Sequence, residues 1–132
     1  MPTIPAQVNQ VGSSTAEGII RTHSVLIDRP EAKGGADKGA MGGELLLASL
    51  GGCFMSNLLE AIRTREANIQ DVKIAIDGNL EGSPAHFTAI EMRISAQYED
   101  KALLEKLVTI SERSCIVANT LKGSVALSFV VE

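Results

Sequence analysis

The sequence has few aromatic residues: no tryptophan, one tyrosine and three phenylalanines in 132 residues. It also has no excess of basic charge, because 12 lysines and arginines stand against 16 aspartates and glutamates, which gives a net charge of −4. Nucleic-acid-binding domains usually carry a basic face together with aromatic or arginine side chains that stack on bases. The composition therefore argues against a nucleic-acid partner.

Targeting and membrane signals are also missing. The start, MPTIPAQVNQ, has neither the basic nor the apolar region of a secretory signal, and no apolar run approaches the roughly 18 residues of a membrane span. We therefore expect a cytoplasmic protein without a membrane partner, folded as one domain over residues 1–132. The two histidines lie far from both cysteines in the sequence, so neither a metal site nor a cofactor is predicted.

The longest helical pattern covers residues 42–68, GGELLLASLGGCFMSNLLEAIRTREAN, with Cys53 at its middle. Apolar residues at spacings near three and four predict one buried face: Leu45, Leu46, Leu50, Leu58, Leu59 and Ile62. Two consecutive glycines precede the cysteine and cost about 1 kcal/mol each relative to alanine in a helix, so we expect another element to approach closely there. Glu44 suits the positive end of the helix dipole, and Asn68 is expected to end the helix.

Alternating apolar residues predict strands on both sides of this helix. The expected strands are residues 7–11, 19–20, 21–28, 72–78, 87–98 and 125–131. Asp100 is expected to cap a helix that continues to about residue 110, and Ser114 to cap a short helix over residues 115–122. The glycine-rich segment 29–43 predicts a long loop that has a function or reaches a partner.

The order of these elements defines the fold class. Strands, a central helix, a hairpin, two helices and a final strand predict an α+β protein with a mostly antiparallel sheet. The central helix is apolar over most of its circumference. Because the predicted strands are too few to cover this helix, we expect a second subunit to cover it.

Cys53 and Cys115 lie on two different helical segments. If the fold brings them together, one thiolate can attack the O–O bond of a peroxide, and the other thiol can convert the resulting sulfenic acid to a disulfide. The alternative is that both are buried as small hydrophobic residues. An apolar position in mid-helix predicts a raised pKa for Cys53, whereas a helix N-terminus predicts a lowered pKa for Cys115.

Four stretches of the chain together resemble the OsmC/Ohr family (osmotically inducible protein C and organic hydroperoxide resistance), in particular its OsmC-like branch: RTHSVLIDRP, GGADKG, ELLLASLGGC and SERSCIVANTLKG. The resemblance implies an OsmC-like fold and an intertwined homodimer with two central helices wrapped by sheets. It also implies thiol-dependent reduction of organic hydroperoxides, with electrons returned by a dithiol reductant such as one of the lipoyl type.

The resemblance also assigns roles by position. Cys53 matches the cysteine that attacks the peroxide, and Cys115 matches the resolving cysteine. Arg21 matches the arginine that activates the thiolate, and Glu44 matches the acidic partner of that arginine. Three departures bear on activity. Ile116 stands where a proline usually follows the second cysteine, and Met41 is followed by glycines where a proline usually precedes the helix. The acidic residue, Glu44, stands about one position from the place it has in established peroxidases.

Residue chemistry leaves other assignments open. Arg63 and Arg65 are alternative cations near the end of the central helix. Glu60 is an alternative orienting carboxylate, because it shares the helix face of Cys53 with Asn57. The alternative function is a non-catalytic OsmC-like dimer that binds a small apolar ligand near the thiol pair.

Overall fold

The computed structural model describes all residues from Met1 to Glu132, in two compact units, residues 1–46 and 47–132. The first unit contains β1 (Gln7–Gln10), β2 (Ala16–Ile20), β3 (His23–Ile27) and a short 3₁₀ turn (Glu31–Lys33). Helix α1 (Gly42–Thr64) begins in this unit and continues in the second. The rest of the second unit is β4 (Ile69–Glu81), β5 (His86–Tyr98), α2 (Lys101–Ser114), α3 (Ile116–Leu121) and β6 (Ala126–Val131).

The strands form two separate three-stranded sheets. The first has the order β1-β2-β3 and is antiparallel throughout, and the second has the order β4-β5-β6. In the second sheet β4 and β5 are antiparallel, whereas β5 and β6 are parallel. The predicted α+β class with mostly antiparallel pairing is confirmed.

The core lies in the second unit, between its sheet and the helices. The alternation predicted for β5 is confirmed, since Ile90, Met92 and Ile94 are all buried. Phe54 of α1 packs its ring 5.1 Å from that of Phe129 in β6. Burial of such apolar side chains is the main source of stability in a domain of this size.

The buried face of α1 differs in part from the prediction. It consists of Leu50, Gly51, Phe54, Leu58 and Ala61, whereas Leu46 and Leu59 are exposed. The buried residues follow a spacing of three to four, and Leu59 falls outside that stripe. Leu46 precedes Leu50 by one turn, near the N-terminal end of the helix.

The two glycines before Cys53 have different surroundings. A Cβ on Gly51 would lie 2.3 Å from Cδ1 of Ile76, so β4 does approach α1 closely there. A Cβ on Gly52 would meet no atom within 4 Å. The predicted close approach is therefore made by a side chain, and at Gly51 alone.

Helix α1 is far less buried than its composition would suggest. Its most apolar 18-residue window has a mean hydropathy of 1.6, yet only 28% of that window is buried. By length and composition this is the one helix that could cross a membrane, contrary to the expectation from apolar runs. One such helix is weak evidence for a span, because core helices of soluble proteins have the same composition.

Several element boundaries also differ from the prediction, and two of them involve left-handed residues. Helix α1 ends at Thr64 rather than Asn68, and Glu66 takes the left-handed conformation, with φ of 48°. Strand β3 begins at His23, while Arg21 lies in the two-residue turn after β2 with φ of 55°. Tight hairpin turns need positive φ to match the twist of their strands, which the alternation of side chains does not indicate.

The glycine-rich segment is folded around the buried carboxylate of Asp28. This group accepts hydrogen bonds from the Thr15 hydroxyl at 2.8 Å and from the backbone N–H groups of Arg29 at 2.7 Å and Lys38 at 3.2 Å. Burial raises the pKa of Asp28, but these hydrogen bonds outweigh it and lower the pKa to about 2. A Cβ on Gly35 would lie 1.9 Å from the carbonyl oxygen of Arg29. The segment is thus an ordered turn that needs glycine where the chain folds back on itself.

Candidate active site at the thiol pair

The break between α2 and α3 positions Cys115. Its backbone is extended, with φ of −77° and ψ of 111°, so the residue ends α2 and begins α3. Its sulfur accepts the N–H of Ala118 at 3.4 Å, as an N-cap side chain does. The cap of the short helix is therefore Cys115 itself, and the prediction that Ser114 caps it is wrong.

The fold brings the two cysteines into contact. Cys53 is half-buried on α1 and Cys115 is fully buried. Cys53 lies close enough to the Cys115 thiol and to the backbone N–H groups of Ile116 and Val117 for all three to lower its pKa. Both cysteines are free thiols. The two thiols are thus neighbours in the reduced state.

This arrangement shifts the two pKa values in opposite directions. Burial raises the pKa of Cys53, but the hydrogen bonds from Val117, Cys115 and Ile116 outweigh it, so the net shift is downward. Burial also raises the pKa of Cys115; the N–H of Ala118 opposes this, but the hydrogen bond to Cys53 adds to the rise. Cys53 is therefore the more acidic thiol.

Both pKa directions predicted from the sequence are wrong, because N–H groups of α3 act on Cys53 and because burial outweighs the N–H of Ala118 at Cys115. The sequence pattern associated the positive end of α3 with the cysteine next to it in the chain. In the structure the first N–H groups of α3 point at Cys53, which comes from α1. Only the tertiary packing shows which sulfur lies near the N–H groups at the start of a helix. The backbone N–H groups of Ile116 and Val117 are the site groups that the residue pattern could not identify.

Arg21 and Glu44 lie in the first unit, whereas both thiols lie in the second. Arg21 is exposed in the β2–β3 turn and makes no salt bridge. The Glu44 carboxylate accepts the N–H of Met41 at 2.8 Å, and so binds one of the free donors at the start of α1. The predicted position of Glu44 in the first turn of this helix is confirmed. Its catalytic role, like that of Arg21, stays a prediction.

The alternative charged residues are engaged with each other at the surface. Glu60 binds Arg63 at 2.6 Å, with both side chains largely exposed. Arg65 is also exposed and forms no salt bridge. A carboxylate that is solvated and already paired is poorly placed to orient a cation at a thiol. His23 is exposed as well.

Three comparisons with known proteins agree with this fold. Residues 35–129 match the family model described as OsmC-like protein. An uncharacterized protein of Bacillus subtilis, YmaD, is 23% identical over 131 residues, which covers 93% of this chain and 85% of that protein. A hypothetical protein from Aquifex aeolicus superposes with a TM-score of 0.85 at 22% identity, covering 100% of this chain and 96% of that one. An organic hydroperoxide resistance protein OsmC from Legionella pneumophila superposes with a TM-score of 0.76 at 18% identity, covering 100% and 98%.

The α+β fold with a long helix is shared with solved structures that include an OsmC protein. Because the family model spans most of the residues, this chain belongs to the OsmC-like family. At these identities the solved structures establish the fold alone.

Proposed function

We propose that the protein is a thiol-dependent peroxidase that reduces organic hydroperoxides to alcohols. The observation that carries the proposal is the contact between Cys53 and Cys115, in which the more acidic sulfur accepts a hydrogen bond from the less acidic one. A two-cysteine peroxidase needs a thiolate that attacks and a nearby thiol that stays protonated until the second step. Family membership supports the same activity.

The first chemical step is attack of the Cys53 thiolate on the terminal oxygen of the hydroperoxide. The O–O bond breaks, the sulfur is oxidised to a sulfenic acid, and the alkoxide leaves as an alcohol after taking up a proton. In the second step the Cys115 sulfur attacks the sulfenic sulfur, a disulfide forms, and the hydroxyl leaves as water. A dithiol reductant, for which a lipoyl group is a candidate, then returns both thiols and is itself oxidised to a disulfide.

The surroundings of Cys53 favour an alkyl hydroperoxide as substrate. On α1, Leu50 precedes Cys53 by three residues and Phe54 follows it directly, and both are buried. Ile116, which follows Cys115, is largely exposed. Apolar side chains around a reacting sulfur favour an apolar substituent over the small polar hydrogen peroxide. By resemblance, Arg21 stabilises the thiolate and Glu44 orients that arginine.

The proposal includes a homodimer in the cytoplasm. The exposed apolar side of α1 supports it, because an 18-residue window with a mean hydropathy of 1.6 and only 28% burial exposes more apolar surface than a water-soluble monomer normally does. A second copy that covers this helix would remove that surface from water.

Titration of free thiols before and after one equivalent of an alkyl hydroperoxide tests the proposed activity. The peroxidase mechanism predicts the loss of two thiols per chain and the release of one alcohol. The alternative, a non-catalytic dimer that binds a small apolar ligand near the thiols, predicts that both thiols persist. The 280 Å³ apolar cavity lined by Gly52, Met55 and Ile74 does not favour this alternative, because the helical rotation puts those α1 residues on the side away from Cys53.

A further inference from the structure

The end of α2 leaves one buried carbonyl without a helical partner. The N–H of Cys115 bonds the Glu112 carbonyl at 3.2 Å, so the last turn is tightened by one residue. In a regular α-helix that N–H would bond Ser111. Ser111 is buried, and an unpaired carbonyl in such surroundings is unfavourable.

The side chain of Asn57 supplies the missing donor. Its Nδ2 lies 3.4 Å from the Ser111 carbonyl oxygen. Apart from the interactions of the thiol pair itself, this is the one side-chain hydrogen bond that joins α1 to α2 or α3, since the other polar side chains of α1 bond within their own helix or to Met41 beside it.

This hydrogen bond lies one helical turn from each sulfur. Asn57 follows Cys53 by four residues on the same face of α1, and Ser111 precedes Cys115 by four residues on α2. The tightened turn that Asn57 stabilises is also the turn that starts α3. It therefore determines where the N–H groups of Ile116 and Val117 point.

We infer that Asn57 is a positioning residue of the thiol pair, which acts by holding the α2–α3 break against α1 through the Ser111 carbonyl. Asn57 does not touch the reacting atoms. It keeps the first N–H groups of α3 and the Cys115 thiol directed at Cys53. The role in catalysis rests on the proposed peroxidase function, whereas the geometric role does not.

The test follows the rate of alkylation of Cys53 by iodoacetamide as a function of pH, without peroxide. Peptide mass spectrometry separates the Cys53 product from that of Cys115. Asn57→Leu keeps a side chain of similar size but removes the donor. We expect its pH profile to move to higher pH and its alkylation at pH values below the midpoint to slow by about five-fold, the equivalent of one net hydrogen bond.

Two controls separate positioning from general stability. Tyr98→Phe also removes one hydrogen bond from a side chain to a carbonyl, that of Glu132 at 3.1 Å, and should leave the Cys53 profile unchanged. Ser56→Ala removes a hydroxyl that bonds only the Gly52 carbonyl of its own helix, and should also leave it unchanged. A folded Asn57→Leu protein with the wild-type profile would overturn the inference.

A second pair of variants keeps the test decisive if Asn57→Leu does not fold. Asn57→Gln retains an amide donor and Asn57→Ala retains none, so the Gln profile should lie closer to wild type than the Ala profile. Equal profiles for Gln and Ala would overturn the inference. A wild-type protein that consumes no hydroperoxide would contradict the proposed function and leave these profiles interpretable.

Discussion

The thiol of Cys115 lies beside the sulfur of Cys53, and their interaction adds to the rise that burial causes in the pKa of Cys115 while it helps the Val117 N–H to lower the pKa of Cys53. A donor next to a sulfur favours its thiolate, while the donating thiol is held in its protonated form. In the proposed peroxidase reaction, this asymmetry would make Cys53 the attacking sulfur and keep Cys115 protonated until the second step.

The first prediction concerns the sulfur that is oxidised first. Cys115→Ser should react once with an alkyl hydroperoxide and hold a sulfenic acid on Cys53, because serine keeps a hydroxyl that can donate to Cys53 and cap α3. Cys53→Ser should stay unreacted, because Cys115 is buried and its pKa is raised by burial. A dimedone-type trap followed by mass spectrometry checks both. A sulfenic acid on Cys115 in Cys53→Ser, formed at the wild-type rate, would reverse the assignment.

The second prediction concerns the two charged residues assigned by resemblance. Arg21→Ala should slow the reaction with hydroperoxide and raise the pKa of Cys53, since a cation near a thiolate stabilises it. Glu44→Gln should have a smaller effect in the same direction, and its amide oxygen can still accept the N–H of Met41. Stopped-flow rates across pH measure both effects.

Arg63→Ala serves as the matched control for Arg21→Ala. Arg63 is exposed and pairs with Glu60, so removing it should leave the peroxide rate unchanged. Equal rates for Arg21→Ala and the wild type would remove Arg21 from the mechanism. A large fall with Arg63→Ala would instead favour the alternative cation at the end of α1.

The third prediction concerns acid stability through Asp28. Its pKa falls from 3.8 to about 2 on folding, so the unfolded chain binds the proton more tightly. The stabilisation is therefore complete above about pH 4 and is lost as the pH falls toward 2. Asp28→Asn should destabilise the protein most at neutral pH, and the difference from wild type should shrink at pH 3 and below.

Urea unfolding at pH 7 and pH 3 measures this difference, with Asp37→Asn as the control. Asp37 is exposed with φ of 54°, a conformation that asparagine tolerates well, so its replacement should change little at either pH. A difference between Asp28→Asn and wild type that is constant from pH 7 to pH 3 would contradict the assignment of this carboxylate.

The fourth prediction concerns the glycine-rich turn. Gly35→Ala should destabilise the protein by about 2 kcal/mol or more, because the new Cβ would overlap the backbone carbonyl of Arg29, which cannot move aside as a side chain can. Gly42→Ala should change the free energy of unfolding by less than about 0.5 kcal/mol, since its Cβ would meet no atom within 4 Å. Equal unfolding midpoints for the two variants would show that the turn tolerates a side chain at Gly35.

The sequence predicted the elements more accurately than their ends. The alternation of β5 and the cap at Asp100, whose carboxylate accepts the N–H of Leu103 at 3.2 Å, follow from local patterns that the structure keeps. The left-handed residues Arg21 and Glu66 were not predictable in this way. Positive φ at a residue other than glycine depends on the turn that the neighbouring elements impose.

The site was predictable as a pair of cysteines but not as an electrostatic arrangement. The resemblance identified Cys53 and Cys115, and the structure places them in contact. The lowered pKa of Cys53 depends on the N–H groups of Val117 and Ile116, and the raised pKa of Cys115 depends on its burial. Both follow from tertiary packing rather than from the local sequence. The order Ser-Cys at the start of a helix suggested a serine cap, whereas the tightened turn at Glu112 makes the cysteine the cap.

The last prediction concerns assembly. Leu59 lies on α1 with 50% of its surface exposed, beside a helix window of which only 28% is buried. If a second copy covers this face, the unfolding midpoint should rise with protein concentration, because folding and association are then linked. Leu59→Lys should lower the fraction of dimer, since a charge buried at an apolar interface is costly.

Thr109→Lys adds the same charge at an exposed position of α2 and should leave the dimer intact. Sedimentation velocity at micromolar concentration, with circular dichroism on the same samples, measures both properties. A wild-type monomer with native secondary structure under these conditions would exclude the obligate dimer.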